Sequence, residues 1–391
     1  MADEEKGPKS ASPRARGELS SASRIVVKIG TRLVARRTEG IDGEFLERLA
    51  LQIANLQARG VEVVVVTSGA VHLGRCKLGS RGRGSVSQRQ AMAAVGQPEL
   101  MRHYIEAFER HGLTAAQLLL TAEDMVHRER YLNVRNTIEA LLHDHIVPVI
   151  NENDSVSIEG VTFGENDRLA ALVAIKVRAD VLVFLSDQPG LLTGDPRRDA
   201  AAKLVPEVHP DDDVSGYAGG PGGPESAGGM AKKIEAARTA ADCGIAVVLA
   251  DGRQPDVLTR VLSGEEIGTL FIPRRHLEAR KAWLATTAEP AGVLVIDDGA
   301  RDALLAPDGA SLLPVGVKKV HGQFERGDMV VIEDMQGQEV ARGLVNYSAD
   351  ELRRIAGLHT DEIPLVLGRR GDDEAVHRNN MVITATRTVG R

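Results

Sequence analysis

The sequence predicts an α/β chain: a three-layer αβα sandwich around a mostly parallel sheet, followed by a small β-rich domain. Three observations carry this. Short apolar runs alternate with helical periods from Arg24 to about Pro273, the pattern of a parallel sheet covered on both faces. Some runs, residues 61–66 above all, are almost pure valine, as expected of strands buried on both sides. Beyond Ala291 the long helical periods give way to short strand-and-turn segments.

Taken in order, residues 24–29 read as a strand ending at Gly30, 45–57 as a helix stopping near Gly60, and 61–66 as a strand. Helices are expected over 91–110, 134–142, 169–176 and 230–243. Strands are expected between and after them, over 114–120, 146–150, 181–185 and 246–250. Residues 206–229 are rich in Gly, Pro and Asp, too long for an idle loop, and read as a disordered insertion or a mobile lid. A connecting helix over 277–284 leads to strands at 293–296, 317–320, 329–333 and 339–345. The expected domains are a disordered tail over 1–23, an α/β domain over 24–273, a connector over 274–290, a β-rich domain over 291–380 and a tail over 381–391.

Bulk properties exclude several classes. The chain has 391 residues, 43% of them hydrophobic, and a net charge of −7. A general nucleic-acid binder would carry a basic face instead. Cys76 and Cys243 are the only cysteines. They form neither a metal spacing nor a disulfide framework, and read as free thiols in a reducing, cytoplasmic setting. No run approaches the ~20 apolar residues of a membrane span. Residues 1–23 lack the apolar core of a secretory signal.

Parallel sheets bind ligands beyond the carboxyl ends of their strands. Four polar clusters occupy such ends: Lys28-Ile29-Gly30-Thr31, Thr67-Ser68-Gly69-Ala70, Asn151-Glu152-Asn153-Asp154 and Ser186-Asp187-Gln188-Pro189-Gly190. Gly228-Gly229-Met230-Ala231-Lys232-Lys233 opens a helix, where backbone N–H groups favour phosphate. Its lysines sit in a first turn, against the helix dipole. No P-loop pattern is present, and no spacing suggests a metal cage, so no residue is expected to ligate a metal. Each cluster also has an ordinary reading. Lys28 alone could be a surface lysine, Lys232 and Lys233 a solvated pair, Gly164–Arg168 a helix cap, and Asp154 a strand terminator. Together, however, Lys28 and Lys233 could flank a transferred phosphoryl group, with an Asp holding both. A carboxylate acceptor would need no general base, since its pKa of ~4.3 leaves it ionised.

These motifs, with Val66-Thr67-Ser68-Gly69-Ala70, Val147–Asp154, Asp187–Leu191 and Gly228-Gly229-Met230 in order, resemble the glutamate 5-kinase family of the amino-acid kinase superfamily. The resemblance covers about Ser23 to Asn380. It implies ATP as co-substrate, Mg²⁺, L-glutamate as phosphoryl acceptor at its γ-carboxylate, and L-proline as inhibitor. It also implies a homo-oligomer, dimer or tetramer, and transfer of product to glutamyl phosphate reductase. Carried over by position, Lys28, Asp167 and Lys233 would be catalytic. Ser68, Asp154 and Asn166 would bind substrate. ATP would meet Lys28, Ser186, Asp187 and the run Ala227, Gly228, Gly229, Met230, Ala231, Lys232 and Lys233. Ser186 stands where the family often has Thr, and Glu165 and Arg168 where it has Asp and Asn. From Gly292 to about Arg370 the chain resembles a PUA domain, an RNA-binding barrel elsewhere. Residues 291–391 carry 12 Lys+Arg against 16 Asp+Glu, a poor match to a phosphate backbone, so a structural or regulatory role is expected. Two alternatives remain: a related kinase acting on aspartate, N-acetylglutamate, carbamate or UMP, and an RNA-binding protein on a kinase-like scaffold.

Overall fold

The computed structural model describes residues 13, 15–36, 40–79, 85–126, 128–156, 165–195, 199, 201–218, 227–274, 290–306, 309–369 and 371–384. The chain divides into two compact units, Met1–Arg275 and His276–Arg391.

In the first unit the strands are β1 (Arg24–Ile29), β2 (Ala35–Arg36), β3 (Gly40–Ile41), β4 (Glu62–Val66), β5 (Ala115–Leu120), β6 (Val147–Glu152), β7 (Val181–Ser186), β8 (Glu207–Val208), β9 (Ala246–Asp251) and β10 (Thr269–Phe271). The helices are α1 (Thr31–Val34), α2 (Gly43–Ala58), α3 (Ala70–Leu78), α4 (Val86–Glu109), α5 (Ala122–Val126), α6 (Arg128–His143), α7 (Glu165–Lys176), α8 (Ala227–Asp242) and α9 (Val257–Leu262).

The main sheet runs β5-β6-β4-β1-β7-β9-β10-β8. Its first six strands are parallel, and β10 pairs antiparallel with β9. Side chains of β1 alternate between two separate cores. Ile25, Val27 and Ile29 join one, and Val26 joins the other. That is why the strand reads as continuously apolar. Aliphatic burial on this scale contributes roughly 1.5–3 kcal/mol per large side chain.

Five helices, α2, α4, α6, α7 and α8, start earlier than their apolar periods. α4 begins at Val86 because Ser85 and Gln88 form a reciprocal capping box, which satisfies first-turn N–H groups without apolar residues. α7 begins at Glu165 rather than 169, so Asn166 and Asp167 lie inside its first turn and not before it. Gly60, at φ +79°, follows the end of α2 as expected.

The disordered tail expected to residue 23 is corrected from Arg16 onward. Arg16–Ser21 forms a 3-10 turn. Its Leu19 is buried in the core. The Arg16 guanidinium donates to four carbonyls, of Pro206 at 2.6 Å, Ile267 at 2.9 Å, Gly268 at 3.0 Å and Glu265 at 3.2 Å. Five rigid donors let a charged residue anchor a polar segment, which an apolar count does not register. Of residues 206–229, Glu207–Val208 adds a strand and Ser215–Ala218 a 3-10 turn. Residues 219–226 and the connecting helix expected at 277–284 lie outside the described residues.

The second unit holds β11 (Gly292–Ile296), β12 (Val317–Gly322), β13 (Met329–Glu333), β14 (Glu339–Leu344) and β15 (Met381–Ile383), with α10 (Asp298–Leu305), α11 (Ala349–Ile355) and α12 (Ile363–Leu367). Its sheet runs β12-β11-β13-β14-β15 and has its own core around Leu294, Ile332, Tyr347 and Leu352. The tail expected from residue 381 instead opens with β15, antiparallel to β14. Three residues are too few for a periodic signal. Among the described residues, no helix is long and apolar enough to cross a membrane.

Candidate active site

The parallel register brings five strand ends together. Lys28 lies beside Val66 of β4 and Phe184 of β7. Val66 lies beside Ile150 of β6, and Ser186 beside Asp251 of β9. β1 is therefore the middle of the sheet, with later strands added on both sides, and its carboxyl end is the switch point where such sheets bind ligands.

Lys28 is no surface lysine: it is 5% exposed. Its Nζ forms an ion pair with Oδ1 of Asp167. The other oxygen, Oδ2, accepts from Lys233 Nζ at 3.0 Å. Lys233 is half-buried, its side chain 16% exposed. One carboxylate from the first turn of α7 thus holds two ammonium groups, one from a strand end and one from α8. Burial pushes the Lys28 ammonium down to about 8, with Asp167 pulling upward and Lys233 adding to the lowering. Burial would raise Asp167, but the two ammonium groups overcome it and hold the carboxyl below its usual range. This is a cationic pair preorganised in a low-dielectric setting, where its field acts strongly on added negative charge.

On the β4 and β6 side, Ser68 Oγ donates to Ile29 O at 2.9 Å and accepts from Thr31 Oγ1 at 3.1 Å. Gly69 then adopts φ +120° to start α3. Asn166 Oδ1 accepts the Glu152 backbone N–H at 3.1 Å, which ties α7 to the end of β6. Asp154 is half-buried, in the turn after β6. Burial pushes its carboxyl up to about 6.

On the β7 and β9 side, Ser186 Oγ accepts the Gln188 N–H at 3.2 Å. The loop closes at Gly190, where φ is +152° and a Cβ would come within 2.8 Å of Thr269 Oγ1. Asp187 receives Arg32 of α1 at 2.9 Å, and its carbonyl receives Arg253 at the same distance. Ala227, Gly228, Gly229, Met230, Ala231 and Lys232 form the opening turns of α8, so Lys232 and Lys233 lie in its second turn and not, as expected, in its first. A side chain at Gly229 would meet nothing within 4 Å.

Arg32 and Arg253 are absent from the sequence-based candidates. Asp251-Gly252-Arg253 is a fifth polar strand end, following β9, and its signal was the same as that of the other four. Thr31, which holds Ser68, was inside a quoted motif without a role. Two residues of α4, Gln97 and Tyr104, were also missed. Their side chains bond to Asn151 at 2.8 Å and to Thr67 at 2.8 Å. The available signal was a polar residue on an otherwise apolar helical stripe.

Residues 23–251 match the amino acid kinase family and residues 292–367 the PUA domain. A glutamate 5-kinase of Chromohalobacter salexigens is 49% identical over 370 residues, covering 94% of this chain and 98% of the relative. The chain belongs to the glutamate 5-kinase family. Relatives named glutamate 5-kinase in Azoarcus sp. and Trichlorobacter lovleyi are 48% and 46% identical over 371 residues, each covering 94% of this chain and 100% and 98% of the relative. Glutamate 5-kinase similarity thus spans both units, in keeping with the resemblance drawn from the motifs.

Proposed function

We propose that this chain transfers the γ-phosphoryl group of ATP to the γ-carboxylate of L-glutamate, giving L-glutamyl 5-phosphate, the first step of proline biosynthesis. The observation that carries the reading is the Lys28–Asp167–Lys233 cluster at the carboxyl end of the central strand. A glutamate carboxylate oxygen attacks the γ-phosphorus as the bond to ADP breaks. Negative charge spreads over the phosphoryl oxygens, and Lys28 and Lys233 flank it. Asp167 keeps both ammonium groups in place. Ser68, Asp154 and Asn166 hold glutamate on the β4 and β6 side. Ser186, Asp187 and the residues from Ala227 to Lys233 hold ATP on the β7 and β9 side. The test is turnover with glutamate, ATP and Mg²⁺, with the acyl phosphate trapped by hydroxylamine. Absence of hydroxamate with glutamate, but not with another carboxylate or carbamate acceptor, would point to a related kinase.

Among the described residues, no group of three or more His, Cys, Asp or Glu side chains could hold a metal ion. Mg²⁺ is generally held by few protein carboxylates and by substrate phosphate oxygens, so it would arrive on ATP. The ion would neutralise phosphate charge. We expect turnover to stop in excess EDTA and return with added Mg²⁺. Full rates in EDTA would remove the metal from this reading.

Asp154 gives a pH-dependent prediction. Its charged form would attract the substrate ammonium, and its carboxyl titrates near 6. As pH falls through about 6 the charge is lost, so the KM for glutamate should rise while that for ATP holds. Asp154→Ala should raise the glutamate KM and erase this pH dependence. Calorimetry finding equal loss of both ligands would argue against the role.

L-proline, close to glutamate in size, should inhibit by occupying an overlapping pocket, and rising glutamate should relieve it. Inhibition independent of glutamate would place proline elsewhere. A homo-oligomer, transfer of product to the reductase, cytoplasmic residence and a non-RNA role for the PUA unit belong to the same reading.

A further inference from the structure

Gln97 lies on the buried stripe of α4, among Ala93, Leu100 and Met101, and is itself 8% exposed. The neighbouring Gly96 packs so closely on α3 that a Cβ would come 1.9 Å from Ala70 O. Gln97 thus stands between the start of α3 and the end of β6. Its Oε1 accepts from Asn151 Nδ2 at 2.8 Å. Asn151 Oδ1 accepts the Glu152 backbone N–H at 2.9 Å, and Asn166 Oδ1 accepts the same N–H at 3.1 Å.

A backbone N–H only donates, so it fixes the polarity of every amide in this chain of contacts. Asn151 must turn Oδ1 to it, which leaves Nδ2 facing Gln97. Asn166 must also turn Oδ1 to it, which leaves Nδ2 directed away from the strand. Gln97 must offer Oε1, and among the described residues its own Nε2 is buried with no hydrogen-bond partner. An unpaired buried amide group is destabilising. A side chain kept for packing alone would avoid that cost, so the oxygen is the useful part of Gln97.

We propose that Gln97 is a positioning residue for the acceptor. By receiving Asn151 Nδ2 it fixes Asn151 and the end of β6, and so holds in place the Glu152 N–H on which Asn166 Oδ1 rests, with the Asn166 N–H donors left for an anionic acceptor. The inference rests on glutamate as acceptor and assigns a residue of α4 to that site.

The test uses the full chain and the hydroxylamine assay. Wild-type turnover with glutamate checks the underlying reading separately; its failure would leave no acceptor site to position. With wild type active, Gln97→Leu should raise the glutamate KM about tenfold or more, with the ATP KM within about twofold. The melting temperature should stay close to wild type, because the change exchanges one unpaired amide for another. Gln97→Met, closer in shape, carries the same expectation should the leucine variant fold poorly. Gln97→Glu keeps an oxygen for Asn151, and burial favours its neutral form, so it should restore most of the affinity. In the Gln97→Leu background, Asn166→Ala should cost far less than in wild type, since contacting residues are not additive. An unchanged glutamate KM, a parallel rise for ATP, no rescue by Gln97→Glu, or additive effects with Asn166→Ala would each overturn the proposal.

Discussion

Lys28→Ala and Lys233→Ala should each lower kcat by about 10²–10³ while shifting the glutamate KM only a few-fold. The expected size is that of removing one preorganised donor from a site of developing charge. The split between kcat and KM follows from the chemistry. Both ammonium groups are placed to meet charge that grows as the phosphoryl group moves, and interactions made only in the transition state act on kcat. Glutamate, held on the β4 and β6 side, would not feel their loss directly. Each variant also leaves Asp167 with one of its two partners, so circular dichroism should confirm a folded chain. Near-normal kcat in both folded variants would dismiss the two-lysine clamp.

Asp167→Asn should be the most damaging single change at the site. It preserves shape but removes the charge that one buried and one half-buried ammonium group share. Breaking a buried ion pair by removing one partner costs roughly 3–5 kcal/mol. Lys28 can relieve part of this by releasing its proton. Its ammonium already lies near 8, with Asp167 pulling it upward and Lys233 pushing it down. Without Asp167 only the lowering influences remain. In the wild type, kcat/KM should fall as pH rises through about 8, because the charged form of Lys28 is the useful one and kcat/KM follows the free enzyme. In Asp167→Asn that alkaline limb should move to lower pH. Thermal melts and a pH–rate profile measure the two effects. A limb that stays in place would mean Lys28 does not titrate under the control of Asp167.

The sheet was legible because periodicity reports burial, and the central strands are buried on both faces. Their ends were legible for the same reason: polar residues that follow a valine run stand out. What escaped the sequence were contacts whose partners are distant in the chain. The pairing of Asp187 with Arg32 and Arg253 has no local pattern. Gln97 leaves only a weak one, a polar residue on an apolar helical stripe, whose meaning shows once Asn151 is brought against it. The start of α7 was misplaced because its first turn is polar, and it is polar because Asn166 and Asp167 face other elements of the site.

The anchoring of Arg16 has a consequence for how the chain is assembled. Its guanidinium waits for carbonyls of residues 206 and 265–268, some 190 to 252 positions later. β1 is likewise made early, yet stays incomplete until β7 supplies its second neighbour. During synthesis Arg16 therefore spends most of its time without these carbonyls. Contacts of such long range form late. A clasp absent from the folding transition state governs escape from the native state rather than entry to it. Arg16 should thus bear on how slowly the first unit opens, a quantity that stopped-flow unfolding of Arg16→Ala would register, while refolding proceeds at nearly its usual pace.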